Sequence, residues 1–214
     1  MTVWPKLLKG GLVQVDPTSG AVLRIIPLQY NPDTLSRSLQ VQAAGRDGDR
    51  SQALRLKGAA TETIKVEAEI DATDALEHPD QHRTETELGI HPQLAALEAL
   101  VNPRADALQQ NHALAASGTL EILPLEQPLT LFVWSRQRVV PVKVTDLSIT
   151  EEAFDVNLNP IRAKVNLGLR VLSVDDLGFE HRGGALFMSY LRTKEGLAAK
   201  APSGALSALG IEGI

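Results

Sequence analysis

The residues most able to do chemistry in this chain are its five histidines, at positions 78, 82, 91, 112 and 181. His78-Pro79-Asp80-Gln81-His82 has the i, i+4 spacing that can place two ligands on one helix face. Glu85, Glu87 and His91 follow closely enough to add more. The glutamate that a zincin carries directly after its first histidine is absent, and Pro79 with Asp80 favours a turn. The stretch reads as a solvated polar loop, with a metal-dependent hydrolase built on His78, His82 and His91 as the rival. Nucleophilic catalysis has less to work with: there is no Cys and no G-x-S-x-G elbow. Glu67/Glu69 and Glu151/Glu152 are paired carboxylates. The first pair alternates along a strand and reads as its exposed face rather than an acid–base pair. The second reads as a surface pair near a strand end. Lys9-Gly10-Gly11 and Arg182-Gly183-Gly184 are glycine doublets, not phosphate loops. A doublet marks a turn or a close backbone approach. Trp4 and Trp134 are not interleaved with basic residues, so no stacking platform for single strands is expected.

The elements that would position these residues are mostly strands. Ile64-Lys65-Val66-Glu67-Ala68-Glu69-Ile70-Asp71 alternates apolar and charged, which separates onto two faces only in a strand. From Ile161 to Val171 the alternation is longer: Ile161, Ala163, Val165, Leu167, Leu169 and Val171 against Arg162, Lys164, Asn166, Gly168 and Arg170. A strand with one wholly polar face implies an antiparallel sheet with water or a partner on that side. Residues 129–134 are apolar on both faces and read as doubly buried. Residues 139–149 change parity around Thr145-Asp146, as a β-bulge produces. Ser135-Arg136-Gln137 between these two is a hairpin link. Further strands are expected at 11–15 and 21–30, with Pro27 marking an edge or bulge, and at 38–43 and 53–57. One helix starts at Pro92 and carries Leu94, Leu97, Leu100 and Val101 at helical spacing, and a second runs over 185–199. Residues 72–90 and 104–117 read as loops or poorly ordered insertions, and the tail from Lys200 as a linker or docking segment.

Composition bounds the function. The chain has 214 residues, a formal net charge of −5, no Cys, 43% hydrophobic and 4% aromatic residues. Mild acidity argues against a nucleic-acid binder, and the absence of Cys excludes a disulfide framework. The N-terminus lacks a signal-peptide core, and no apolar run reaches the ~20 residues of a membrane span. The expected location is the cytoplasm, or release without a cleaved signal, with no direct membrane insertion. The residues alone describe an all-β antiparallel domain with a docked helix, fitted to assembly or binding.

Four landmarks then carry a resemblance. Leu28-Gln29-Tyr30-Asn31-Pro32-Asp33-Thr34-Leu35 resembles the "apolar-x-F/Y-N-P-x-x-L" opening of the tube and tube-initiator proteins of contractile injection systems. Glu69-Ile70-Asp71-Ala72-Thr73 resembles their second landmark, and Pro128 to Trp134 their third. Phe154, followed by Pro160-Ile161-Arg162-Ala163-Lys164-Val165, resembles the fourth. Order and spacing match over about residues 20–177. Ser135 stands where family members often have Gly.

The resemblance implies a mainly β, phage tail-tube-like antiparallel barrel or sandwich over 1–177. It would carry one flanking α-helix and a partly helical extension over 178–214, too short for a complete LysM domain. It implies a homo-hexameric ring in a baseplate or inner tube, without enzyme activity or cofactor. The partners would be the spike hub protein, a neighbouring tube or tube-initiator ring, and baseplate wedge proteins, with no nucleic acid. The expected channel or subunit-interface residues are Lys65, Glu67 and Glu69 on one strand and Arg162, Lys164 and Arg170 on another. The alternative for both sets is plain solvent exposure. Loop 44–52, with Arg46, Asp47, Asp49 and Arg50, is the expected contact with the next ring. The rival from another class is a monomeric β-sandwich module that binds a ligand such as carbohydrate.

Overall fold

The computed structural model describes residues 8–43, 55–118, 127–204 and 206–211. The strands are β1 (Gly11–Val15), β2 (Val22–Pro27), β3 (Leu35–Gln40), β4 (Thr61–Asp71), β5 (Leu129–Ser135), β6 (Arg138–Phe154) and β7 (Pro160–Val171). The helices are α1 (Thr73–Leu76), α2 (Arg83–Leu88), α3 (His91–Glu98), α4 (Ala105–Ala116), α5 (Val174–Leu177) and α6 (Arg182–Ala198). All strand pairs are antiparallel, in the order β2-β1-β5-β6-β7-β4-β3. The fold is mainly β as expected, but among the described residues strand pairing does not close it into a barrel. It is one seven-stranded sheet with β2 and β3 as its edges.

The sheet nevertheless folds back on itself. Gln29, two residues past β2, donates its side-chain amide to the Asp71 carbonyl at 2.6 Å and accepts the Asp71 N–H at 2.9 Å. One side chain thus stands in for a strand partner and ties the β2 end of the sheet to the end of β4. Between them lies the main core, where Leu12, Ile26 and Leu28 meet Ile64, Val66, Ala68, Phe132, Val165 and Leu169. Helix α3 supplies Leu94 and Leu97 to that core, with Ile90 and Leu100 at its ends. A smaller cluster of Val15, Leu129 and Leu131 packs with Leu177 and Leu186 of α5 and α6.

The parity change in β6 is real. Its register against β7 shifts between Val144 and Asp146, so Val140, Val142 and Val144 before the bulge, and Leu147 and Ile149 after it, join one core. Strand β5 is buried through its first four residues, and its hairpin turn is Arg136-Gln137. Both glycine doublets are close approaches. A Cβ on Gly10 would strike the Trp134 indole, one on Gly11 the Ile26 carbonyl, and one on Gly184 the Gly178 carbonyl.

Several expectations are corrected. Residues 72–90 and 104–117 are not loops but hold α1, α2 and α4. None of the three buries a residue, so none shows an apolar stripe. The single flanking helix is therefore one of several. Strand β3 lies earlier than 38–43, and of 53–57 the described part contributes only a bridge from Leu56 to Ala43.

Candidate assembly surface

Strands β4 and β7 pair along nearly their whole lengths, with Glu69 opposite Lys164, Glu67 opposite Asn166 and Lys65 opposite Gly168. The two expected channel faces are thus one face of one sheet. Strand β6 continues it beyond the bulge, setting Asp146, Ser148, Thr150 and Glu152 against Gly168, Asn166, Lys164 and Arg162. Strand β3 adds Ser36 opposite Lys65 and Ser38 opposite Thr63. Four strands therefore present a surface without a large apolar side chain, backed by the core residues Ile64, Val66, Ala68, Ala163, Val165 and Leu167.

Ion pairs cross this face between strands. Arg162 Nε meets Asp71 Oδ2 at 2.7 Å and Glu69 at 3.7 Å, and Lys164 Nζ meets Glu152 at 3.1 Å. Arg170 binds Asp176 of α5 at 2.5 Å, just before the C-terminal extension. Burial works to raise the pKa of Asp71, but the Thr73 hydroxyl and amide and the Arg162 guanidinium outweigh it, and the pKa falls below the usual 3.8. The hydrogen bond from Lys164 to Glu152 raises the lysine's pKa, and that from Arg162 to Asp71 raises the arginine's. These groups stay charged near neutrality and keep the face wet.

The landmark residues are structural. Asn31 clamps the approach to β1, accepting the Gly10 N–H at 2.9 Å and donating to the Leu8 carbonyl at 2.7 Å. Gln29 and Asn31 thus anchor one short segment to two separate parts of the sheet. Tyr30 between them is exposed, and Pro32 is half-buried. Trp134 stacks on Phe132 with ring centroids 5.8 Å apart. Pro160 and Ala163 are buried under the sheet, and Phe154 is exposed at the tip of the β6–β7 hairpin. Arg46, Asp47, Asp49 and Arg50 lie outside the described residues.

Sequence reasoning missed a buried charged cluster. Glu62 is 2% exposed and faces the core. It accepts from Arg37 Nε at 2.7 Å, from the Tyr190 hydroxyl at 3.2 Å and from Lys194 at 3.4 Å. Lys194 also sits 4.3 Å from the Tyr190 ring centre. The only available signal was Glu62 standing on the apolar parity of β4.

The remaining candidate chemistry does not assemble. His78 and His82 flank a turn in which the His82 N–H donates to the His78 carbonyl at 3.2 Å. Among the described residues no three His, Asp or Glu side chains converge as a metal site requires. No helix among them is long and apolar enough to cross a membrane. An apolar cavity of about 540 Å³ opens between β2, β4 and α3, lined by Ile25, Leu28, Ile70, Ala72, Pro92 and Leu97.

No protein-family profile and no curated protein matches the chain. Chains in solved assemblies are similar to it, two of them as follows. One is the tail of an empty gene transfer agent particle with C6 symmetry, at 14% identity and TM-score 0.27. The other is the virion of a native gene transfer agent particle, at 12% identity and TM-score 0.25. Each match covers 76% of this chain and 90% of the other.

Proposed function

We propose that this chain is a structural subunit of the inner tube or baseplate of a phage tail-like contractile injection particle. It forms a six-fold ring, initiates the tube and links it to the spike hub, without catalysis or a cofactor. The neighbouring ring and the baseplate wedge proteins are its other partners. The observation that carries this reading is the four-stranded polar face and its two open sides. Among the described residues, strand β3 pairs only with β4, and β6 beyond Asp146 pairs only with β7. A polar sheet face with a free edge on each side suits a ring whose copies stand side by side around water. Four strands at ~4.8 Å span about 19 Å, so six copies would enclose a wall about 37 Å across.

The sequence landmarks from Leu28 to Val165 support the same assignment. The cavity between β2, β4 and α3 favours a second reading, a monomeric ligand-binding module. Electron microscopy of the tagged protein recovered from its native host separates the two. Needle-like particles with this chain at one end, or six-fold rings with β4 and β7 facing inward, are expected. A monomer without particles, in cells shown to make them, overturns the assembly reading and favours the module.

A further inference from the structure

The apolar cavity of about 540 Å³ between β2, β4 and α3 is far larger than the voids of a packed core, and its walls are fixed in place. Gln29 spans the rim. Both ends of its side-chain amide are on the Asp71 backbone, so the ends of β2 and β4 are held at a set separation. Helix α3 forms the third wall. The Ile90 N–H just before it donates to the Pro160 carbonyl at 2.9 Å, and its Leu94 and Leu97 sit in the core. Pro27 and Pro92 stiffen two of the walls. The cavity is therefore pre-formed, and its size lies within the range of small-molecule sites.

The polar groups of the lining are not equivalent. Asp71 and Glu69 are met by Arg162, at 2.7 and 3.7 Å. Glu85 of α2 has no such partner. Its carboxylate is 25% exposed, and it meets only the Gln93 amide at 3.4 Å and the His82 ring at 4.0 Å. Among the described residues no lysine or arginine lies within ion-pair reach of it. Gln93 turns its Nε2 to that carboxylate, which leaves its own Oε1 buried without a donor. One wall thus holds a carboxylate without a cation and a carbonyl oxygen without a donor. Lys9 and Arg24, on the β1–β2 side, are exposed, so their charged ends stay in water.

We propose that this cavity binds a small apolar amine, whose hydrocarbon body lies among Ile25, Leu28, Ile70 and Leu97 and whose primary ammonium donates to Glu85 and to Gln93 Oε1. The Gln93 amide is free to turn its Oε1 toward the ammonium once Glu85 has the new donor. An ammonium carries three N–H donors and no acceptor, so it serves both oxygens, whereas an alcohol brings one donor and a carboxylate none. The proposal rests on reading the cavity as a binding site and is independent of whether copies assemble. Calorimetric titration of the full chain with 4-phenylbutylamine, 4-phenylbutanol and 4-phenylbutyrate compares three heads on one skeleton. The amine should bind about tenfold more tightly than the alcohol, because its hydrogen bond to the carboxylate is charge-assisted, and the carboxylate more weakly than either. Glu85→Gln should erase the amine's advantage while the alcohol still binds. Helix α2 buries no residue, so this substitution leaves the core intact. Ala96→Phe, on the cavity wall, should fill the space and abolish binding of all three. An alcohol that binds as tightly as the amine, or an amine preference that survives Glu85→Gln, overturns the amine and leaves the cavity a binding site. No binding of any of the three, or binding that survives Ala96→Phe, overturns both. Should Ala96→Phe fail to fold by far-ultraviolet dichroism, the Glu85→Gln comparison decides alone.

Discussion

Glu62→Ala tests what holds the C-terminal helix on the sheet. The carboxylate is 2% exposed, whereas the Arg37 and Lys194 side chains are 27% and 32% exposed. When the carboxylate is removed, Lys194 turns to water and loses little, and Arg37 stays on the Tyr190 hydroxyl with its remaining N–H groups open to water. Tyr190 cannot turn to water: it is buried, and its hydroxyl keeps Arg37 Nη2 as a donor at 3.0 Å but loses its acceptor. An unsatisfied buried hydroxyl costs about 1–3 kcal/mol. The loss of packed side-chain volume adds about 1 kcal/mol, and relief of the carboxylate's own desolvation offsets part of the sum. The expected destabilisation is about 2–4 kcal/mol, a fall in Tm of roughly 4–16 °C for a chain of this size. Urea unfolding followed by tryptophan fluorescence would show a lower midpoint at unchanged slope. High salt should leave the difference intact, because the carboxylate is shielded from mobile ions. A loss below about 0.5 kcal/mol, or one abolished by salt, would mean that the cluster behaves as a surface ion pair.

Three further outcomes follow from the same geometry. Gln29→Ala removes both bonds to Asp71 and should cost about 1–3 kcal/mol by urea unfolding. Gln29→Glu should be at least as damaging, since a carboxylate cannot donate to the Asp71 carbonyl. Gly184→Ala drives a Cβ into the Gly178 carbonyl and should cost about 1–3 kcal/mol, with a changed near-ultraviolet dichroism as α6 shifts. Asp71 and Asp176 have folded pKa values below 3.8, so their contribution to stability is full above that value. It should be lost as pH falls through the folded values. Replacing both with Asn should lower the neutral and alkaline plateau of a Tm-against-pH curve and flatten its acid limb, because the stability otherwise lost on acidification is then absent at every pH.

Legibility in the sequence followed burial. Strands β4 and β7 were readable because one face is packed and the other wet, so alternation survives intact. The β6 bulge was readable for the same reason, since a parity change has no other simple source in a strand. Helix α4 was not, although ADALQQNHALAA is rich in good helix formers, because it buries nothing and periodicity is silent about such a helix. The open sheet was also hidden. Closure depends on whether β2 finds a second strand partner beside β1, and here the Gln29 side chain just past β2 reaches across to Asp71 instead, which no pattern announces. On the candidate surface, the residues of each strand were visible but their union was not. Two polar faces read separately became one only through the register that sets Glu69 against Lys164.

That register also fixes the electrical character of the surface. Lys65, Lys143, Arg162, Lys164 and Arg170 share it with Glu67, Glu69, Asp71, Asp146 and Glu152, so cations and carboxylates are equal in number. They are also interleaved: Arg162 lies between Asp71 and Glu152 across the strands. A face built this way is strongly hydrated, yet it projects little net field beyond the ~8 Å over which physiological salt screens charge. In the ring proposed above, such a wall would neither concentrate nor repel a charged cargo, and passage would be governed by width. Exposed apolar side chains lie elsewhere, at Val22, Leu23 and Ile25 of β2 and at Leu209. In that ring the polar strands would line the channel, and the bulge in β6 lets one strand serve it, keeping Val140, Val142, Leu147 and Ile149 on the core side while Asp146, Ser148 and Thr150 join the polar face.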